Sequence, residues 1–234
     1  MSLCSVPLFL RQPKTTMYEA LPFLQLLHLP HNCIYGTIPP EIGELRHLLS
    51  LELHGNGLSG VLPDEIYDIE DLQLLNLAAQ WGEYRQCNTS DGTNVNINYR
   101  MGGTMVPFEE NAGLAGNLGP KLGMWRSMKG LYLNKNSFFG VIPEEIGNLR
   151  YLRFLWLEDN FLEGSIPNTI TALRNLQQLK LGDNFLISSL PSEVGKLMDM
   201  EILEVHVSPP KFALQRYFVY GFRSCLFPIL LRTV

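Results

Sequence analysis

The stretch LRFLWLEDNFLEGSIPNTITALRNLQQLKLGDNFLISSLP, residues 152–191, holds the pattern that decides the fold. Its segment LxLxxN occurs at residues 155–160 and again, 24 residues later, at 179–184. Five copies of the pattern align on a proline that comes seven residues after the asparagine, and these prolines are Pro39, Pro63, Pro143, Pro167 and Pro191. An internal period of 24 residues indicates a repeat protein in which similar coils stack on one another.

Each position of the repeat has a physical reason. The two leucines of LxL alternate with a period of two, so both point from a short strand into the core while the residue between them faces solvent. The asparagine carries a donor and an acceptor, and we expect it to satisfy backbone groups of its own coil and of a neighbouring coil. Glycine permits a tight corner, proline fixes φ on the convex side, and the piece that follows the proline predicts about one helical turn.

The full pattern, LxxLxLxxNxLxGxIPxxIGxLxx, resembles that of the plant-type leucine-rich repeat family, which includes receptor-like kinase ectodomains and leucine-rich repeat recognition proteins. The resemblance covers residues 24–205, and NFLEGSIPNTITAL and NSFFGVIPEEIGNL are close to the family pattern. It implies an α/β repeat fold, a curved, right-handed solenoid with a parallel concave β-sheet and a few short helical turns on the convex side. It also implies recognition of a peptide or a protein.

Composition and motifs argue against several functions. The net charge is −5 and Lys and Arg do not cluster, so we expect no nucleic-acid partner. The sequence has no GxSxG, HExxH, GxxxxGK[ST] or kinase motif, so we expect neither an enzyme nor a bound cofactor. The apolar run 212–234 is interrupted by Arg216, Arg223 and Pro228, so we expect no membrane span within this chain.

The third repeat is interrupted. Leu75 and Leu77 keep the register, but Gln80 replaces the asparagine, and the pattern resumes near Leu114. About 32 residues, at roughly 79–111, are therefore inserted, and their Asn, Gly, Thr and Tyr content predicts a loop. The insertion could also conceal one degenerate coil. A loop of this length is either functional or a tolerated surface insertion.

These boundaries predict three segments: an irregular N-terminal segment at 1–23, the solenoid at 24–208 with its inserted loop, and an irregular apolar tail at 209–234. Asn88 begins an N-x-S/T triplet and is a weak candidate for N-glycosylation, which would matter only in a secreted protein. The four cysteines are widely and irregularly spaced, so their pairing stays open.

The repeat forces several large side chains of the middle coils out of the core. Tyr132 and Trp156 lie between strand leucines and Phe154 precedes one, so we expect the three aromatics on the concave face. Charged residues border them, namely Glu158, Asp159, Lys180 and Asp183. Aromatics among polar groups are typical of binding hot spots, so we predict that these seven residues bind a protein or peptide ligand. The alternative is that the aromatics stack along the strands for stability alone.

The first two coils carry a second polar group, His28, His31, Glu52 and His54. A metal site needs three or four ligands that converge in a fixed geometry. These side chains come from loosely defined strand ends, so we favour solvated histidines and predict no metal site.

The sequence therefore predicts a non-catalytic module that binds a protein or peptide, the leucine-rich repeat portion of a receptor-like or secreted protein. The alternative is an intracellular scaffold with the same fold. The family resemblance favours an extracellular or cell-surface location. However, the apolar run at 3–10 has no basic segment before it, so we do not expect a clear signal peptide, and the compartment stays open.

Overall fold

The computed structural model describes residues 21–32, 34–80, 86–88, 94–96, 113–187, 190–207 and 215–220. The strands, in chain order, are β1 (Leu26–His28), β2 (Tyr35–Gly36), β3 (Ser50–Glu52), β4 (Gly57–Leu58), β5 (Gly60–Val61), β6 (Leu74–Asn76), β7 (Gln86–Asn88), β8 (Asn94–Asn96), β9 (Leu114–Asn117), β10 (Gly130–Tyr132), β11 (Ser137–Val141), β12 (Phe154–Trp156), β13 (Phe161–Gly164), β14 (Gln178–Lys180), β15 (Phe185–Leu186), β16 (Ile202–Val207) and β17 (Gln215–Tyr220). Short 3₁₀ helices alternate with them, at Pro40–Glu44, Asp64–Asp68, Pro120–Met124, Glu144–Asn148, Asn168–Ala172 and Ser192–Lys196. The predicted single helical turn after each proline or its equivalent is confirmed.

The LxL segments form one sheet with the strand order β1-β3-β6-β10-β12-β14-β16-β17. The first seven strands are parallel and pair one repeat apart, so that Leu131 is opposite Leu155 and Leu155 is opposite Leu179. This sheet is the predicted concave sheet of the solenoid. At its last edge β17 pairs antiparallel with β16. The sequence predicted an irregular tail at 209–234, so the presence of β17 differs from that prediction.

A second sheet, which the sequence did not predict, follows the asparagines. Its order is β15-β13-β11-β9-β5, and all its pairs are parallel. Gly140 (φ 78°) and Gly164 (φ 75°) in these strands adopt the left-handed region, which a residue with a side chain would disfavour. The segment NSFFGV lacks clean apolar alternation, which is why its strand character was missed.

The core is built from the same positions in every coil. The coil from Leu152 to Leu173 supplies seven apolar side chains, none more than 3% exposed: Leu152, Leu155, Leu157, Leu162, Ile166, Ile170 and Leu173. One coil cannot bury these side chains by itself, so its stability depends on the coils on either side. Among the described residues every helix has five residues, too short to cross a membrane.

A ladder of side-chain amides connects neighbouring coils. Asn160 donates from Nδ2 to the carbonyl of Leu157 in its own coil (3.1 Å) and to that of Leu133 in the preceding coil (3.0 Å). Its Oδ1 accepts from the backbone N–H of Phe138 (3.0 Å), also in the preceding coil. Asn56, Asn136 and Asn184 repeat this arrangement. The predicted role of the asparagine is thereby confirmed.

Gln80 continues the ladder instead of ending it. Its Nε2 donates to the carbonyls of Leu53 (2.8 Å) and Leu77 (3.2 Å), and its Oε1 accepts from the N–H of Leu58 (3.2 Å). These groups stand at the same sequence separations as the partners of Asn160. Gln80 is therefore part of the ladder, because the longer amide performs the same bonding.

The insertion contributes no strand to the concave sheet in the part of the chain that is described. β6 pairs directly with β10, and β5 pairs directly with β9, so the coil that begins at β6 continues at β9. β7 and β8 pair antiparallel with each other and form a separate two-stranded sheet. The sequence left two interpretations of the insertion, a loop and a concealed coil. These pairings favour a loop that leaves one coil and returns to it.

Some predictions fall on residues outside those described. They include the N-terminal segment up to residue 20 and residues 208–214 and 221–234 of the C-terminal end. Cys4, Cys33 and Cys225 also lie there, as do Thr89 and Ser90 and the side chains of Cys87 and Asn88. The cysteine pairing therefore stays open, and glycosylation of Asn88 remains a prediction.

Candidate functional site: an aromatic patch on the concave sheet

The sheet brings the predicted central residues into one row. Tyr132 on β10 pairs with Trp156 on β12, which pairs with Lys180 on β14. Phe154 lies on the same face of β12, two residues before Trp156. We call Tyr132, Phe154 and Trp156 the concave aromatic patch. All three are half-buried.

The three rings contact one another. The ring centroids of Tyr132 and Trp156 are 5.0 Å apart with an interplanar angle of 81°, an edge-to-face pair. The rings of Tyr132 and Phe154 are 6.3 Å apart at 21°. Gly130 makes room for this arrangement, because a Cβ there would lie 2.8 Å from Cε2 of Tyr132. The role of Gly130 was not predicted. The sequence held one indication of this role, which is a glycine at a position where most coils carry a larger side chain.

Cations lie over two of the rings. Nζ of Lys180 is 4.1 Å from the ring centroid of Trp156, and Cζ of Arg153 is 5.9 Å from that of Phe154. Both distances are within the range of a cation–π interaction. The patch is thus an aromatic surface bordered by positive charge on two sides. Arg153 was not among the predicted site residues.

Beside the patch are buried polar atoms that have no hydrogen-bond partner in the structure. They are Nε1 of Trp156, Oε2 of Glu158 and Oδ1 of Asn134. Glu158 lies two residues after Trp156, and Asn134 lies two residues after Tyr132 on the adjacent coil. A buried polar atom without a partner is unfavourable in the isolated protein, and a ligand that reaches it can supply the missing bond.

Burial raises the pKa of the Glu158 carboxyl from its ordinary value of 4.5 to about 7. A hydrogen bond with its own backbone and the nearby charge of Lys180 act in the opposite direction, while Glu204 and Asp159 add to the increase. Burial also raises the pKa of Tyr132, and the charge of Glu52 adds to this effect. The concave surface therefore holds a carboxyl that changes its protonation near neutral pH.

Asp159 and Asp183 lie in turns and not on the strands that carry the aromatic rings. Each directly precedes a ladder asparagine and adopts the left-handed backbone conformation, with φ of 56° and 51°. Aspartate tolerates this conformation better than most residues do. Both therefore lie in the turns after the concave strands, at the rim of the patch.

The polar side chains of the first two coils, His28, His31, Glu52 and His54, meet in pairs. Nδ1 of His28 is 3.3 Å from Oε1 of Glu52, and the rings of His31 and His54 meet edge to face at 5.0 Å. Burial, followed by the charge of His31, lowers the pKa of His54. Within the described residues, no three His, Cys, Asp or Glu side chains are arranged to hold a metal ion.

Comparison with known proteins agrees with this architecture. The Leucine Rich Repeat family model matches residues 47–69, 127–149 and 151–173. The structure of the plant peptide hormone receptor RGFR1 in complex with RGF2 is 26% identical, with a TM-score of 0.62 over 80% of this chain and 24% of that chain. A TDR receptor is 29% identical, with a TM-score of 0.60 over 76% of this chain and 25% of that chain. The present chain spans about a quarter of the length of these receptor chains.

A short segment of this chain is also similar to part of an enzyme. Adenylate cyclase of Schizosaccharomyces pombe is 33% identical over 48 residues, which are 20% of this chain and 3% of the cyclase. So small a share of that protein carries no argument about cyclase activity. The stacked parallel strands, the amide ladder and the matched repeats define a leucine-rich repeat solenoid. The three matched repeats and the similarity to plant receptor structures support a plant-type leucine-rich repeat family for this chain.

Proposed function

We propose that this chain is a non-catalytic recognition module that binds a peptide or protein segment on the concave aromatic patch. The observation that carries the proposal is the group of partnerless buried atoms beside Tyr132 and Trp156, because a ligand can complete their hydrogen bonds. The aromatic composition of the patch is the one found in binding hot spots. Similarity to receptors such as RGFR1, whose structure holds RGF2, supports a peptide as the ligand.

A second apolar surface provides the rival location. Phe161 and Phe185, on the second sheet, are exposed and stack with their ring centroids 6.1 Å apart. Exposed aromatic pairs also occur at interaction surfaces. Among the described residues of the second sheet, no side chain has a buried polar atom without a hydrogen-bond partner, so the concave patch is the better candidate.

The test is a selection of random twelve-residue peptides displayed on phage against the immobilised chain. The variant Tyr132→Ala/Trp156→Ala removes the patch, and Phe161→Ala/Phe185→Ala is the matched control with two aromatics removed from the other sheet. Circular dichroism and urea unfolding establish that both variants are folded. We expect the selected peptides to bind the wild type and the control equally and to lose at least about 2 kcal/mol, roughly thirtyfold in Kd, on the patch variant.

Two results would contradict the proposal. One is equal binding of the selected peptides to the patch variant and to the wild type. The other is loss of binding only in the Phe161→Ala/Phe185→Ala variant, which would move the site to the second sheet.

The proposed module is the leucine-rich repeat portion of a receptor-like or secreted protein, and an intracellular scaffold remains the second candidate. The two candidates differ in compartment and not in binding face. Mass spectrometry of native material separates them, because a glycan on Asn88 requires passage through the secretory route. A cytosolic protein would carry none.

A further inference from the structure

Two buried acceptor atoms beside the aromatic patch belong to residues at matching positions of adjacent coils. The register that pairs Tyr132 with Trp156 continues past the strands, because the N–H of Lys135 donates to the carbonyl of Glu158 at 3.0 Å. Asn134 and Glu158 therefore occupy matching positions and point to the same face. Asn134 is 8% exposed, and neither its Oδ1 nor Oε2 of Glu158 has a hydrogen-bond partner.

The matching position on the next coil is a glycine. The N–H of Asp159 donates to the carbonyl of Gly182 at 3.0 Å, so Gly182 follows Asn134 and Glu158 in the same row. A glycine places no side chain over its neighbour. The pair of acceptors is thus flanked by the aromatic patch on one side and by bare backbone on another.

The charges that face this place favour a cation. Lys180 on β14 is the positive group that acts on the Glu158 carboxyl, while Asp159 of the same coil and Glu204 on β16 are negative. Besides Glu158 itself, two carboxylates and one ammonium act on this place, which makes an anionic ligand unfavourable. The guanidinium of Arg153 lies over the Phe154 ring and is not among these groups. Burial raises the pKa of Glu158 to about 7, so its carboxyl changes protonation near neutral pH, and a bound cation favours the ionised form.

We infer that Asn134 and Glu158 form a subsite for the guanidinium group of an arginine side chain in the peptide ligand. A guanidinium presents several N–H donors in one plane and can reach two acceptors on different coils, which a single ammonium does less well. The indole N–H of Trp156, also partnerless, is then available to a carbonyl of the same peptide. This inference rests on the proposed function, since it names the chemistry that the concave site selects.

The test compares two small probes of nearly equal shape, Nα-acetyl-arginine methylamide and its citrulline analogue, in which an uncharged urea replaces the guanidinium. Each is titrated into the whole chain, and Kd is obtained from the NMR shifts of the Asn134 side-chain amide. The proteins are the wild type, Glu158→Gln, and the control Glu163→Gln, which neutralises an exposed carboxylate on β13.

At pH 8 we expect the arginine probe to bind the wild type and the control at least about tenfold more tightly than the citrulline probe. At pH 6, where Glu158 is mostly protonated, this ratio should fall severalfold. In Glu158→Gln the ratio should be near one at both pH values. Because glutamine retains the size of the side chain and removes only the charge, a change in the ratio is not a folding effect.

The inference is overturned if the wild type binds the two probes equally or binds neither, or if the preference for arginine persists in Glu158→Gln. These results leave the proposed function standing when the selected peptides still require Tyr132 and Trp156. If those peptides do not require the patch, the proposed function fails independently of the arginine subsite.

Discussion

Removal of one amide from the middle of the ladder should destabilise the solenoid by a predictable amount. In Asn160→Ala, the buried N–H of Phe138 loses the Oδ1 that accepts its hydrogen at 3.0 Å. The carbonyls of Leu133, Leu157 and Glu158 lose one donor each. They keep other donors, since Leu133 accepts from Asn136, Leu157 from Asn184 and Glu158 from the N–H of Lys135. Only the N–H of Phe138 is therefore left without the partner that the ladder supplies.

The expected cost follows from these differences. A buried N–H without an acceptor costs about 1–3 kcal/mol, and loss of the two Nδ2 hydrogens, which the three carbonyls share, costs about 0.5–1.5 kcal/mol net for each hydrogen. We expect Asn160→Ala to lower the free energy of unfolding by about 3 kcal/mol. Asn32 provides the matched control, because it is exposed at the end of the ladder and makes a local bond to the carbonyl of Pro30. Asn32→Ala should cost less than about 1 kcal/mol.

Urea unfolding followed by circular dichroism measures both variants, with the slope of the transition used to check that the same surface is exposed. Hydrogen exchange adds a local readout, since the N–H of Phe138 should lose more protection than other amides of its strand. The reasoning is refuted if Asn160→Ala and Asn32→Ala unfold at the same urea concentration. It is also refuted if Phe138 keeps its protection in Asn160→Ala.

Three further predictions concern single positions. Because the folded pKa of Glu158 is about 7, above its ordinary 4.5, its ionisation opposes folding and stability should fall as the pH rises between these values. Glu158→Gln should stabilise the protein by about 1–2 kcal/mol at pH 8, after allowance for partial exposure, and change little at pH 4, as urea unfolding at both pH values will test. Gly147→Ala should cost about 1–3 kcal/mol in the same assay, because its Cβ would lie 2.7 Å from the carbonyl oxygen of Thr169, whereas Gly195→Ala meets nothing within 4 Å and should be neutral; equal costs would contradict this. Lys135→Gly should stabilise by about 1 kcal/mol, since Lys135 holds a φ of 56°, and a lower thermal midpoint would argue against strain there.

The regular part of the fold could be predicted because each repeat position has one dominant cause. LxL places leucines on one face, and the asparagine must bond backbone groups that the coil cannot satisfy by itself. Gln80 shows where this reasoning was too narrow. The requirement is for an amide with a donor and an acceptor, and an amide one methylene longer also reaches the carbonyls of Leu53 and Leu77. A search for an amide at that register, in place of asparagine alone, would have found the ladder intact.

The site could be predicted less completely. The alternation of the strands placed Tyr132, Trp156 and Lys180 on one face, and the sheet register puts them in one row. The partnerless atoms of Asn134 and Glu158 could not be predicted, because burial at the end of a strand depends on how neighbouring side chains pack across coils. The second sheet was missed because its strands depend on pairing between coils and carry little local pattern.

The central claim, that a ligand binds at the concave aromatic patch, is tested most directly by the indole N–H signals of the chain in a ¹H–¹⁵N spectrum. Trp125 is the internal control, because it is fully buried on the convex side and its Nε1 donates to the carbonyl of Ile66 at 3.3 Å. Trp156→Phe and Trp125→Phe assign the two signals. With a saturating selected peptide, we predict that the Trp156 signal moves, because its partnerless N–H gains an acceptor, while the Trp125 signal stays in place. A peptide that binds with a measured Kd and leaves the Trp156 signal unchanged would contradict the claim.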